Sequence, residues 1–543
     1  MPAEYSEYWA KLAKDMKKLL NICALALLAG LQSCNFTGHE TSNGNQHGIN
    51  PGETPEKPAE ELVMLFTNDL HSQIEPLDAA STYNAGRGGV ARIKVLVDSV
   101  RAAEKAVILA DAGDFVQGTY YFTCLGGDVE MRIQKEIGYD IRTVGNHEFD
   151  KKIPGLDRMF SQNDVVTVSS NYNFSATSLF DKVKEKAIID AAGLKIGFIG
   201  FGARLEGLVD PISCEGVIYS NPWENADRLA AALKHDGADL VIALSHLGYN
   251  AKSNAKYYDK GLAMNTRNID FIIGGHSHTF LNEAVYVTNM AGKQVPIVQT
   301  GSRGVCLGYM KINMKKTGKE RFTYRLIPVD SRLDSRIDPD FAAMLKGYSS
   351  ELEKTMGEVL GQCPSTLRKG SPQGLLGNWA ADAMTEICRD TFGAVPDMAI
   401  CNNGGLRTEL PAGNVTRSRI YSIFPFDNKL SLLEMKGSVL MQLFADISRG
   451  NQEPVSAQVQ LNIKDGQVAS VKLSGKAIDP NKIYKVCTLD YLSNSDHYSL
   501  GSYVSRKDSD EFVYDLMCKH VQKLTAEGRK VEASYDNRIV VLD

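Results

Sequence analysis

The 543-residue sequence predicts an α/β fold in two units, a layered strand–helix domain over residues 62–330 and a second unit over residues 357–543. Three observations carry that expectation. The chain is too long for one hydrophobic core, since single cores stop growing at roughly 250–300 residues. From Leu62 onward, continuous apolar runs alternate with amphipathic stretches, the pattern of a sheet covered on both faces. Five short runs rich in Asp, Asn and His each follow an apolar run, at the strand ends where open α/β sheets gather their ligands.

Residues 1–34 read as a targeting segment. Met16-Lys17-Lys18 is a basic head, residues 19–31 form an apolar stretch too short to span a bilayer, and Ser33 precedes Cys34. A small residue before that cysteine resembles the lipobox of bacterial lipoproteins, in which Cys34 becomes lipidated and N-terminal after cleavage. This implies attachment to a membrane of the cell envelope, on the periplasmic or outer side. Residues 35–61 are rich in Gly, Asn, Thr, Pro and Glu and almost free of large apolar side chains, so they read as a flexible tether.

Strands are expected at 62–67, 106–110, 141–144, 165–169, 195–201, 240–244 and 271–273, and helices between some of them at 90–105 and 223–236. Asn221-Pro222 opens the second helix with a cap residue and a proline. Residues 331–356 are polar and helix-prone and read as an interdomain linker helix. Beyond them come a helix at 375–389, a Gly-rich turn at 402–405, and strand-like runs near 459–463, 468–473 and 483–489. No internal repeat is visible.

Composition narrows the function classes. The chain is 43% hydrophobic and 23% charged, with a formal net charge of −5. No basic excess is present, which argues against a nucleic-acid polymer as partner. Of the ten cysteines, none forms a C-x-x-C pair, so neither a structural zinc nor a redox motif is indicated. An exported location permits disulfides.

The chemistry lies in the motifs Asp69-Leu70-His71, Gly113-Asp114, Gly145-Asn146-His147-Glu148, His246 and Gly274-Gly275-His276-Ser277-His278. Together they offer the carboxylates, imidazoles and one amide that two adjacent divalent ions need (zinc, manganese or similar). A carboxylate is suited to bridge the pair, and Asp114 is the candidate. Asp69 and His71, two apart in an extended chain, would point to one side and hold one ion, with His278 reaching it by the same alternation from His276. Asn146, His246 and His276 would complete the other ion. A paired-metal site of this kind implies hydrolysis of a phosphate ester.

In this order the motifs resemble the calcineurin-like metallophosphoesterases. Gly145-Asn146-His147-Glu148-Phe149-Asp150 and Arg87-Gly88-Gly89-Val90-Ala91-Arg92 are similar to the bacterial 5′-nucleotidase/UDP-sugar hydrolase family in particular. The resemblance implies an α/β/β/α sandwich followed by an α+β C-terminal domain, and a catalytic dyad of His147 and Asp150 beside the leaving oxygen. One departure is His278, where that branch often has Gln or Asn.

The resemblance also makes the second unit a nucleotide reader. Cys401-Asn402-Asn403-Gly404-Gly405-Leu406-Arg407 looks like the family's N-G-G-G-I-R segment, with Asn402 and Arg407 as substrate contacts. Phe426 in Pro425-Phe426-Asp427-Asn428 and Tyr491 in Asp490-Tyr491-Leu492 would sandwich the base. Asp496 belongs to Asn494-Ser495-Asp496-His497-Tyr498, which departs from the family's G-G-D-G-[YF] run. The implied activity is release of phosphate from nucleoside monophosphates. The alternatives are a 2′,3′-cyclic nucleotide phosphodiesterase/3′-nucleotidase and a UDP-sugar or dinucleotide pyrophosphatase. A non-catalytic nucleotide-binding surface protein is disfavoured by the intact ligand set.

Overall fold

A computed structural model describes residues 58–79, 81–251, 256–450, 452–494 and 498–542. The segment expected to be a targeting signal with Cys34, most of the expected tether, and Asp496 lie outside the described residues. Two sheets form the first half. One has seven strands, in the order Phe322–Pro328, Cys306–Asn313, Glu61–Thr67, Val107–Asp111, Ile141–Thr143, Val166–Val168 and Val183–Lys184. The other has six, in the order Val285–Thr288, Gln294–Val298, Phe271–Gly274, Leu240–His246, Leu194–Gly202 and Lys186–Ala191. The inner strands of both pair in parallel, as continuous apolar runs require.

Alternate side chains of each strand enter different cores, and this makes the layers. Leu62, Met64 and Phe66 meet Phe198, Leu244, Phe271 and Ile273 of the other sheet in a core between the sheets. Val63 and Leu65 face the opposite way, against Val90, Ile93 and Val97 of the helix Val90–Ala103. On the far side, Ile199, Phe201, Val241 and Ile272 pack on Ala226, Leu229 and Leu233 of the helix Pro222–His235. Helix, sheet, sheet and helix therefore stack in four layers. Asn221 caps that second helix by accepting from Trp223 N at 3.1 Å, with Pro222 in the first turn.

The helix Pro339–Met356 opens on Asp338, whose carboxylate accepts from the amides of Asp340 and Phe341. It docks Phe341 into the helix-side core of the first half, so a cut at residue 330 would strip that core of a buried aromatic. The second half has two four-stranded sheets, one running Met398–Ala399, Ile483–Leu489, Lys429–Lys436, Ser505–Phe512 and the other Lys476–Ala477, Gln467–Leu473, Val459–Lys464, Ile539–Leu542. The helices Leu375–Phe392, Gly437–Arg449 and Val513–Ala526 share their core. The eight cysteines of the described residues are all unpaired. No helix among the described residues is long and apolar enough to cross a membrane.

Candidate metal centre and substrate pocket

Each motif begins where a parallel strand ends: Asp69 after Glu61–Thr67, Asp114 after Val107–Asp111, Asn146 after Ile141–Thr143, and His276 after Phe271–Gly274, while His246 closes Leu240–His246. The loops pack so closely that only glycine fits between them. A Cβ on Gly113 would sit 2.8 Å from Gly145 N, and one on Gly145 would collide with the carboxylate of Asp114. Glu148 fastens the same loops, its buried carboxylate accepting from the amides of Asp114 at 3.1 Å, Phe115 at 3.0 Å and Gly145 at 2.6 Å.

The side chains gather into overlapping clusters. Asp69, His71 and His278 offer donor atoms within 4.8 Å of one another, as do Asp114, His246 and His276, and as do His71, Asp114 and His147. Asp114 thus reaches both ends of the constellation. Its Oδ2 lies 3.0 Å from His246 Nε2, and its Oδ1 accepts from the His147 amide at 2.9 Å. Asp69 Oδ1 lies 3.4 Å from His278 Nε2 and 3.8 Å from His71 Nε2.

The alternation expected of an extended chain is not how these residues meet. Asp69, His71, His276 and His278 all have positive φ, of 51°, 50°, 68° and 52°. The chain turns at each motif, and the loop conformation, not strand pleat, brings residues two apart to adjacent positions. Left-handed backbone at four polar, non-glycine residues is the strain that functional sites store, about 1–3 kcal/mol each.

The buried polar atoms fit metal ions. His71 Nδ1 faces Gln117 O at 3.1 Å and His246 Nδ1 faces Ala112 O at 2.8 Å, so each ring donates through Nδ1 and leaves Nε2 as the donor atom. Asn146 Oδ1 is buried without a hydrogen-bond partner, and the buried His246 Nε2 faces the Asp114 carboxylate at 3.0 Å. Burial works against a charge on His246, but the carboxylates of Asp114 and Asp69 outweigh it and lift the group to about 10. The site is short of positive charge, and a divalent cation supplies it. Burial, reinforced by the His246 charge, presses His276 down to about 4, so it stays a neutral donor. His147 and Asp150 form the expected pair, Nδ1 to Oδ2 at 2.9 Å.

A cavity of about 650 Å³ runs from this cluster to the second half of the chain. Asp114, Asn146, His147 and Asp150 line one end, and Asn402, Arg407, Phe426 and Tyr491 line the other. Arg407 spans the two, its Nη2 donating to His71 Nε2 at 3.1 Å. The Phe426 ring lies 5.8 Å from that of His147, and the Tyr491 hydroxyl donates to Gly207 O at 2.9 Å. The four described second-half residues singled out from sequence therefore all line one pocket. Asn402 Oδ1 is buried there without a partner.

Residues 62–280 match the family model "Calcineurin-like phosphoesterase", and residues 355–499 match "5′-nucleotidase, C-terminal domain". A human 5′-nucleotidase is 29% identical over 88% of this chain and 91% of its own length. A bovine 5′-nucleotidase is 30% identical over 71% of each chain. The chain belongs to the 5′-nucleotidase family. A 5′-nucleotidase precursor from Thermus thermophilus shares the fold with a TM-score of 0.78, at 24% identity, over 89% of this chain and 99% of that one. As a member of this family the protein is a metal-dependent phosphoric ester hydrolase with a dinuclear divalent metal centre, the need its buried donor set expresses.

Several pocket and support residues had no readable signal in the sequence. Glu148 stood in a quoted motif, but two of its three backbone bonds go to Asp114 and Phe115, 34 and 33 residues earlier in the chain, and so are invisible locally. Lys151 bridges to Asp427 at 2.6 Å, across the two halves. Arg303 donates to the backbone of Arg407 at 2.8 Å, and Lys369 is pushed down to about 8 by burial and the charges of Arg407 and Arg303. These two residues make a cationic corner behind Arg407. Tyr498 and Phe512 are further aromatics of the pocket wall, beside the expected Phe426 and Tyr491.

Proposed function

We propose that the protein releases phosphate from nucleoside 5′-monophosphates, with the phosphoryl group at the metal cluster and the nucleoside in the second half of the pocket. The observation that carries this reading is the single cavity joining the carboxylate–imidazole cluster to Arg407, Phe426 and Tyr491. Asp69, His71 and His278 would hold one ion, and Asn146, His246 and His276 the other, with Asp114 bridging. Bound there, the ions supply the positive charge that lowers the barrier to attack on phosphorus. Arg407 neutralises and orients the phosphate from the opposite side. His147, held by Asp150, gives its proton to the departing ribose oxygen, which would otherwise leave as a strongly basic alkoxide. Phe426 and Tyr491 offer π-faces to the base, each contact contributing about 1–3 kcal/mol, and Asn402 and Asp496 complete the substrate contacts.

A hydrolysis panel tests the reading on the metal-loaded enzyme: AMP, 3′-AMP, 2′,3′-cyclic AMP, UDP-glucose and bis-p-nitrophenyl phosphate. AMP should have the highest kcat/KM, and a cyclic nucleotide or UDP-glucose in first place would reassign the substrate.

Export and lipid attachment through Cys34 belong to the same proposal. They are supported by the basic head, the apolar run and the polar tether that follows. Stable attachment by acyl chains needs no transmembrane helix. Cys34→Ala should convert a membrane-associated protein into one that is released or left unprocessed. Equal retention of variant and wild type on membranes after a high-salt wash would remove the anchor.

A further inference from the structure

A second cavity, of about 20 Å³, lies between the turn that follows His71 and the helix Asp128–Ile137. Phe115 and Ile133 are among its apolar walls, yet five polar side chains also line it. Two of them are engaged elsewhere: Gln73 with Glu75 O and Arg303, Tyr139 with the Thr67 hydroxyl. The other three, Ser72, Glu130 and Gln134, are buried. Ser72 Oγ, both carboxyl oxygens of Glu130 and Gln134 Nε2 have no hydrogen-bond partner among the described residues. The backbone of Ser72 is fully used, its N–H donating to Phe115 O at 3.0 Å and its carbonyl accepting from Ile74 N and Thr119 Oγ1, so only the hydroxyl is left over. Burial pushes the Glu130 carboxyl up to about 7, against the opposing pull of the Ser72 hydroxyl, which therefore lies close by. Polar atoms buried without a bond cost folding stability, and four of them around one small cavity point to a shared partner.

Size and donor chemistry identify that partner. One water molecule needs roughly 10–15 Å³ and a few polar neighbours, which this cavity supplies. The buried Arg142 donates from Nη1 to Gln134 Oε1 at 2.5 Å and so fixes the amide, leaving Nε2, a donor, as its free end. The guest must accept there while donating to oxygens at Glu130 and Ser72. Water does both, whereas a bare cation would be set against the Gln134 N–H. We propose that the cavity holds one water joining Gln134, Glu130 and Ser72, and that through it Glu130 is a positioning residue for His71. This rests on reading His71 as a metal ligand. Ser72 directly follows His71, and both are left-handed, with φ of 52° and 50°. Two consecutive residues in that conformation do not hold their shape unaided. The water ties their turn to the helix, as the bond to Gln117 O ties the imidazole itself.

The test combines a crystal structure of the wild type with manganese affinities, read by competition with a fluorescent chelator, for the full-length protein and its variants. The crystal should show an ordered water within hydrogen-bond reach of Glu130, Ser72 and Gln134. Glu130→Met should weaken the binding of one manganese ion about tenfold, the low end for a change behind a ligand. At saturating manganese its turnover should recover, because the ligands are intact, which a collapse of the fold would not permit. Ser72→Ala should weaken binding to a similar degree, and Glu130→Met/Ser72→Ala no further, because both act through one water. Glu130→Gln, which keeps an oxygen for the water, should bind manganese nearly as the wild type does. Unchanged affinity in Glu130→Met, additive losses in the double variant, or a Glu130 carboxyl bonded directly to Ser72 with no water between would overturn the proposal. So would an anomalous signal in the cavity after rubidium soaking, which would make the guest a cation. Should Glu130→Met not fold, the crystal structure and the Glu130→Gln and Ser72→Ala affinities decide. A His71→Ala variant that binds both ions as tightly as the wild type would instead remove His71 as a ligand, and the water would be judged from the crystal structure.

Discussion

Asp114→Asn is expected to abolish hydrolysis of every substrate and to lower metal content at the same time. Asp114 is buried, yet the positive fields of His246 and His147 outweigh that burial and hold its carboxyl well below the ordinary value. It therefore stays ionised at any working pH. Replacing Oδ2 by an amide does two kinds of damage. It removes the negative charge that both ions would share, and it points an N–H at His246 Nε2, 3.0 Å away, occupying the nitrogen that should face the metal. Charge stabilisation by metal ions is worth several kcal/mol, so a loss of more than about a thousandfold in kcat follows at roughly tenfold per 1.4 kcal/mol. Elemental analysis beside turnover checks it, and two ions per chain with near-native activity would refute the bridging role.

The second large effect is expected from His147→Ala, and its signature lies in the dependence on substrate. Metal content should hold, because Asp69, Asp114, Asn146, His246, His276 and His278 remain. Turnover of nucleoside monophosphates should fall by about 10²–10⁴, the contribution of a positioned acid. The loss should shrink on p-nitrophenyl phosphate, whose leaving group departs readily without a proton. Asp150→Asn should show the same dependence in weaker form, since it removes the carboxylate 2.9 Å from Nδ1 and leaves the imidazole in place. An equal loss across good and poor leaving groups would place His147 outside leaving-group chemistry.

The layered α/β architecture was legible because its cause is local: strands buried on both faces must be apolar without interruption. The clustering of the candidate metal donors was legible because the end of a parallel strand is a fixed place for function, and motifs such as Gly145-Asn146-His147 mark that place. What could not be read was backbone conformation. Asp69 and His71 meet through left-handed turns that no side-chain pattern encodes, so a strand-alternation argument named the right neighbours for the wrong reason. Long-range support was equally hidden. Glu148 reaches back to Asp114, and Lys151 reaches forward to Asp427, through contacts that exist only once the chain has closed.

The buried donor atoms of the metal cluster have a consequence for the life of the protein outside catalysis. The imidazoles of His71 and His246 are already aimed by backbone carbonyls, and Asp69, Asp114 and Asn146 are already gathered out of water. The folded chain thus offers a preformed, dehydrated donor set before any ion arrives, while the unfolded chain does not. Any ion that prefers the folded form then acts as a thermodynamic ballast, adding about 2.7 kcal/mol when its free concentration is a hundred times its dissociation constant. Stripping the ions with a chelator should lower Tm and expose the chain to proteases, and restoring them should reverse both. An enzyme built this way couples its own abundance to the metal supply of its surroundings, so that scarcity removes the protein itself and not merely its activity.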